Sequence, residues 1–297
     1  MYSTRRWLST SFLSIFIALQ VVGQLPKSNI YMMDFTQIGD SIFFENPLFM
    51  TAFNQNGYNN QPCFFSDDLV FLTSNYYDLE KTEILKLDIS KNRLTRVTKT
   101  RESEYSPTLM PNKKYFSCIR AEKEGKDQFL WKYPLDQSDG GQRLLDELST
   151  VGYHCWISED EVALFLVGDP LKLMIANIKT GSNKYLLNNI GRCLKLSPAG
   201  ELIIVHKLLD NKWYLKKYDP KMGTFKIITE TLPGKEDFGV LPDGAIIMAT
   251  GSEIWKFDNN NIIDTWKKMD DLSNLGMNDI SRISISSNKI LFVEKQN

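Results

Sequence analysis

The sequence predicts an all-β fold: a six-bladed β-propeller whose last blade is closed by strands near the N-terminus. Three observations support this. A unit of apolar strand, tight turn and apolar strand recurs six times. Its copies follow one another at a nearly constant spacing. The last copy meets the C-terminus without a second pair of strands, and a pair of the right pattern stands near the N-terminus. A fixed period marks a repeat architecture, and about four short strands per 40–45 residues marks a propeller blade.

The first half-blades read PCFFSDDLVFLT (62–73), SPTLMPNKKYFSCI (106–119), HCWISEDEVALFL (154–166), RCLKLSPAGELIIV (192–205), DFGVLPDGAIIMA (237–249) and RISISSNKILFV (282–293). Ser66, Met110, Ser158, Ser197, Leu241 and Ser286 mark their turns, separated by 44, 48, 39, 44 and 45 residues. Asp-Gly and Pro-Asp pairs suit the tight hairpins. The second half-blades read EILKLDISKNRLTRVT (83–98), FLWKYPLDQSDGGQRLL (129–145), LKLMIANIKTGSNKYLL (171–187), WYLKKYDPKMGTFKII (213–228) and SEIWKFDNNNIIDTW (252–266). Alternation at period 2 between Gly, Asn, Asp and Pro clusters argues for half-buried strands. For the sixth blade, NIYMMDFTQIGDSIFF (29–44) supplies the missing half, with Tyr31-Met32-Met33-Asp34 matching Leu85-Lys86-Leu87-Asp88. Such closure removes exposed sheet edges. Asp34, Asp88, Asp219 and Asp258 are expected to end third strands as turn residues. Trp213, Trp255 and Trp266 are expected in third and fourth strands, packed between blades or over an outer edge. No break in composition divides 24–297, which reads as one domain.

Composition excludes more chemistry than it suggests. Hydrophobic residues at 42% and charged residues at 24% place the chain among globular proteins. A net charge of -1 argues against a nucleic-acid partner. Two His and four Cys leave little for a His-rich metal site or a disulfide framework.

Residues 1–23 read as a secretory signal peptide. Arg5 and Arg6 precede an apolar run from Phe12 to Val22, about 11 residues against the ~20 that span a bilayer. Val21 and Gly23 are small residues placed for cleavage before Gln24. An uncleaved anchor is the alternative. The mature protein is expected to be exported, periplasmic or secreted, monomeric, and without stable membrane insertion. Cys63, Cys118, Cys155 and Cys193 show no C-x-x-C spacing and are expected on inner strands as small hydrophobes. Cys155 and Cys193 fall on neighbouring inner strands, the pair to test for a bridge in an oxidising compartment.

The turn copies Leu196-Ser197-Pro198-Ala199-Gly200 and Leu241-Pro242-Asp243-Gly244 resemble the PD40, or WD40-like, repeat of TolB-like six-bladed propellers. Met110-Pro111-Asn112-Lys113 and Ser66-Asp67-Asp68 are degenerate copies. EYSPTLMPNKKYFSCIR (104–120), VGYHCW (151–156) and NIGRCL (189–194) are similar to segments of exported TolB-like proteins of Bacteroidota-type bacteria. The resemblance covers essentially all of 25–297 and implies the fold, not an activity.

No nucleotide-binding glycine loop, H-E-x-x-H or G-x-S-x-G motif is present. No cofactor, metal site or catalytic residue is expected. The position four before each turn anchor gives a ring on the channel axis: Pro62, Ser106, His154, Cys193, Asp237 and Arg282. Asn60, Gln61, Glu104, Tyr105, Tyr153, Arg192 and Glu236 lie one or two residues further back. From these, Asn60, Glu104, Tyr105, His154, Arg192 and Asp237 are the candidate ligand-binding residues at the channel mouth, able to make charge-assisted hydrogen bonds. Alternatively they satisfy one another and channel water. The expected function is non-catalytic binding of a protein, peptide or glycan. The competing reading is a metal-dependent propeller hydrolase of the lactonase or esterase type. It requires Asn60, Glu104, Asn189 and Asp237 to converge on one axial point with oxygen ligands.

Overall fold

The computed structural model describes residues 25–123, 125–258 and 265–296. It is a ring of six four-stranded antiparallel sheets. The N-terminal strands β1 (Ser28–Ile38) and β2 (Ser41–Phe49) are followed by the first blade, β3 (Asn59–Ser66), β4 (Leu69–Ser74), β5 (Glu83–Asp88) and β6 (Arg93–Arg96). The second holds β7 (Ser103–Leu109), β8 (Tyr115–Glu122), β9 (Asp127–Pro134) and β10 (Gln142–Leu144). The third holds β11 (Val151–Trp156), β12 (Glu161–Leu166), β13 (Lys172–Asn177) and β14 (Asn183–Asn188). The fourth holds β15 (Ile190–Leu196), β16 (Leu202–Leu209), β17 (Lys212–Asp219) and β18 (Thr224–Glu230). The fifth holds β19 (Gly239–Val240), β20 (Ile246–Thr250), β21 (Glu253–Phe257) and β22 (Lys267–Asp271). The sixth is built from both chain ends, in the order β2-β1-β24-β23, with β23 at Ile280–Ile285 and β24 at Lys289–Lys295. The predicted closure is therefore present: β1 runs antiparallel to β24, Tyr31 opposite Phe292 and Asp34 opposite Lys289. In the first blade Asp88 stands likewise opposite Leu69, the first residue of β4.

The core explains why second strands read as unbroken apolar runs. Such a strand is buried on both faces, so alternate residues enter different interfaces. In β12, Val162 and Leu164 pack toward the second blade, while Ala163 and Phe165 pack toward the fourth. In β16, Leu202 and Ile204 face the third blade, and Ile203 and Val205 face the fifth. The apolar clusters follow the blade interfaces around the ring, and Ile30, Met32, Leu291 and Val293 seal the sixth blade against Val70 and Leu72 of the first.

Turn chemistry follows the sequence with small differences. Gly200 and Gly244 take φ +81° and +90°, and their N–H groups donate to the carbonyls of Ser197 and Leu241. Lys113 takes the same place in the degenerate copy at φ 55°, donating to Met110. Asp88 and Asp219 end their strands and accept backbone N–H groups of the following turn. Asp34 departs from this expectation: β1 continues to Ile38, and the Asp34 carboxylate instead takes Asn46 Nδ2 and Lys289 Nζ, each at 2.8 Å. The fourth strand of the fifth blade lies beyond the expected 252–266 pattern, at Lys267–Asp271, so Trp266 precedes that strand. Trp213, Trp255 and Trp266 flank the cluster between the fourth and fifth blades. Cys118 sits on β8, a second strand, rather than on an inner one. The expected signal peptide, 1–23, lies outside the described residues. Among the described residues no helix is long and apolar enough to cross a membrane.

Candidate functional site

The inner strands β3, β7, β11, β15, β19 and β23 surround the axis. They share one direction, so their N-terminal ends meet at one mouth and their turns at the other. Register shifts interrupt five of them close to the mouth, at Asn60/Cys63, Tyr105/Thr108, Val151/Tyr153, Ile190/Leu194 and Ile280/Arg282. Such bulges re-aim side chains. Two of them place Gln61 and Ser106 in the left-handed region, at φ 50° and 56°. The Ser106 N–H is held by Gln61 Oε1 and Thr73 Oγ1, each at 3.1 Å. Strained non-glycine backbone of this kind collects at binding sites.

A cavity of about 380 Å³ runs down the channel, and all six axial positions counted from the sequence line it: Pro62, Ser106, His154, Cys193, Asp237 and Arg282. At the mouth, Arg282 donates from Nη2 to the Tyr153 hydroxyl at 2.8 Å, and its Nη1 lies 3.6 Å from Asp237. Asp237 also accepts the Ile283 N–H at 2.9 Å. Burial pushes the Asp237 carboxyl above its ordinary range, against the opposing pull of Arg282 and Lys195. Arg192 reaches Glu236 at 3.2 Å, and Lys207 reaches the same carboxylate at 2.6 Å. The Tyr58 hydroxyl is buried beside this group, and burial raises its pKa although Arg282 and Arg192 pull it down. The cavity lining carries Arg192, Lys195 and Arg282 against Asp237. This local excess of cations contrasts with the net charge of -1 of the chain.

His154 is neutral: burial drives its pKa down to about 3. Its Nε2 lies 2.7 Å from Ser117 Oγ, which accepts from Trp156 Nε1 at 2.8 Å and stands 3.4 Å from the Thr108 carbonyl. The Ser117 hydroxyl has one proton, which can go to His154 Nε2 or to the Thr108 carbonyl, and that choice sets which ring nitrogen is protonated. Among the described residues His154 Nδ1 has no hydrogen-bond partner, and neither does Ser106 Oγ.

Of the six candidate residues, His154, Arg192 and Asp237 line the channel. The other three are not part of its lining. Asn60 is buried and its Oδ1 accepts the N–H of Gln61 at 2.8 Å. Tyr105 packs on the cluster of Met110, Val151 and Trp156. Glu104 is wholly buried between the first two blades, accepting from Thr100 Oγ1 at 2.5 Å with Arg120 Nε at 3.8 Å. Glu104 and Asp237 thus do not share an axial point. Among the described residues no three His, Cys, Asp or Glu side chains gather as a metal site. Cys63, Cys155 and Cys193 line the channel, and all four cysteines, including Cys155 and Cys193, are free thiols. Burial lifts Cys155 to about 11 and Cys193 to about 12. Sequence reading missed Lys195, which shares a strand with Cys193, and Tyr58. Their only signal is position: two residues after one axial residue, and just before the first inner strand.

The six-bladed β-propeller is an architecture that the chain shares with TolB-like solved structures. The chain superposes on a TolB-type protein of Agrobacterium tumefaciens with a TM-score of 0.67 at 9% identity, covering 92% of this chain and 99% of that one. TolB from Acinetobacter baumannii gives 0.57 at 14% identity, covering 93% of this chain and 65% of that one. A puromycin hydrolase gives 0.57 at 14% identity, covering 89% of this chain but only 48% of the hydrolase. At these identities the likeness is one of fold. No protein-family sequence model and no characterised protein sequence matches the chain.

Proposed function

We propose that this is an exported, non-catalytic binding propeller whose channel mouth takes an acidic segment of a protein or peptide. The observation that carries the proposal is the cationic lining of the channel, Arg192, Lys195 and Arg282 against Asp237. Guanidinium groups beside tyrosine hydroxyls suit carboxylates, which accept two parallel hydrogen bonds. The loops at the same end of the ring favour a macromolecule over a glycan. They expose Tyr76, Tyr77 and Leu79 after β4, Val167 after β12, and Leu208 and Leu209 at the end of β16. These follow strand ends paired with inner-strand beginnings, Ser74 opposite Asn59 and Leu166 opposite Val151. Apolar groups around a polar centre supply contact area that the charges alone do not.

The TolB-type and hydrolase neighbours share the fold at 14% identity or less, so the reading rests on the residues of the channel. The experiment is an array of acidic, neutral and basic peptides probed with the mature protein, repeated with Arg192→Glu. The expected result is selective retention of acidic peptides, weakened at least tenfold by the charge reversal. Equal retention of all three classes, or no effect of the reversal, refutes it.

A further inference from the structure

The mouth accounts for Arg192, Arg282, Asp237 and Glu236 but not for the lower channel. Lys195 leaves β15 one residue before its end and lies on the cavity. Its ammonium lies in the field of the Asp237 carboxylate. Among the described residues it forms no ion pair. The two carboxylates at the mouth are engaged elsewhere, Asp237 by Arg282 and Glu236 by Arg192 and Lys207. Beyond Lys195, toward the turn end, the walls are apolar: Leu109, Pro111, Trp156 and Leu196. The mouth end is crossed by the Arg282–Tyr153 hydrogen bond.

We infer that the lower channel is a separate binding site for a small amphipathic organic anion that enters from the turn face, its carboxylate on Lys195 and its apolar body against Trp156, Leu109 and Leu196. The Lys195 ammonium has only the field of Asp237, already paired with Arg282, and no direct ion pair among the described residues, so an anion on it adds a charge-assisted contact in a partly apolar cavity. Ser106 Oγ, without a hydrogen-bond partner among the described residues and on a side chain that lines the cavity, adds a donor. The channel cavity, mouth and lower part together, has a volume of about 380 Å³, the size class of a small-molecule pocket. The thiols on the wall are held protonated by burial, so they contribute apolar surface and no competing charge.

The test is calorimetric titration of the mature protein with decanoate below its micelle concentration, against decyltrimethylammonium as the cation of matched tail. Saturable one-to-one uptake of decanoate alone is expected. Lys195→Met should weaken it at least tenfold, and Lys212→Met, an exposed cation at the start of β17, should leave it within twofold. Equal affinity in Lys195→Met, absence of saturable decanoate binding, or equal binding of the cation overturns the inference. A second measurement needs no variant. Saturating decanoate should slow N-ethylmaleimide labelling of the half-buried Cys63 and Cys155 in the wild-type protein, with decyltrimethylammonium as the control that leaves the rates unchanged. Unchanged labelling rates overturn it as well.

Discussion

Arg282 on β23 hydrogen-bonds Tyr153 on β11 at 2.8 Å, joining inner strands of the sixth and third blades, which face each other across the channel. The guanidinium also lies 5.1 Å from the Tyr153 ring centroid, within cation–π range. One side chain thus ties opposite sides of the ring and neutralises Asp237 beside it.

Removing either end of this tie has unequal consequences. Tyr153→Phe deletes one hydrogen bond to a charged group and should cost about 1.5–3 kcal/mol. Arg282→Met removes that bond and also leaves the buried Asp237 carboxylate unpaired, so about 3–5 kcal/mol is expected. Adding Asp237→Asn to Arg282→Met should recover part of the loss. Urea midpoints for the four proteins decide this. Equal destabilisation by the two single changes would show that Asp237 does not depend on Arg282.

The sixth blade depends on residues distant in sequence. Deleting 25–49 strips β1 and β2 from β24, leaving Leu291 and Val293 without Ile30 and Met32 and opening a long sheet edge. The expected product is aggregated or lacks a cooperative urea transition. A folded monomer by light scattering and circular dichroism would contradict the closure as the source of stability.

Lys113 occupies a left-handed turn position that Gly200 and Gly244 fill in the better copies. A side chain there costs about 1–2 kcal/mol, partly offset by the larger entropy that glycine loses on folding. Lys113→Gly should therefore stabilise by about 0.5–1 kcal/mol. That corresponds to a rise in Tm of roughly 1–4 °C for a chain of this size. An unchanged or lower Tm shows that the turn is not strained.

The fold was legible because it is repeated: six turns at one spacing fix the inner strands, and the displaced half-blade fixes the closure. Counting back four residues from each turn reached the axis in all six blades, Pro62 through Arg282. Choosing among the flanking residues by chemistry was less successful. Glu104 and Asn60 carry suitable groups but face a neighbouring blade or the local backbone, because successive strand residues point to opposite sides. The bulges near the mouth shift that parity, and nothing in Gln61 or Ser106 announces a left-handed backbone. The Arg282–Tyr153 bond spans 129 residues and three blades, so only the assembled ring reveals it.

Glu104 shows what a carboxyl misplaced by sequence reading does instead. It is fully buried, with Glu83 and Arg120 nearby, and burial lifts its pKa to about 7 despite the Thr100 hydrogen bond and the Arg120 charge. An unfolded glutamate titrates near 4.3. Between about 4.3 and 7 the folded chain holds this proton and the unfolded chain does not, so Glu104 makes stability fall as pH rises through that window. Above about 7 both states are ionised and its contribution levels off. Glu104→Gln removes the titration while keeping an oxygen to accept from Thr100. The variant should lose the fall across this window, gaining on wild type by an amount on the order of 2–3 kcal/mol between pH 4.5 and 8. Urea unfolding at four pH values in that range measures it. Parallel curves for the two proteins would mean that Glu104 is ionised throughout, with Arg120 compensating its burial.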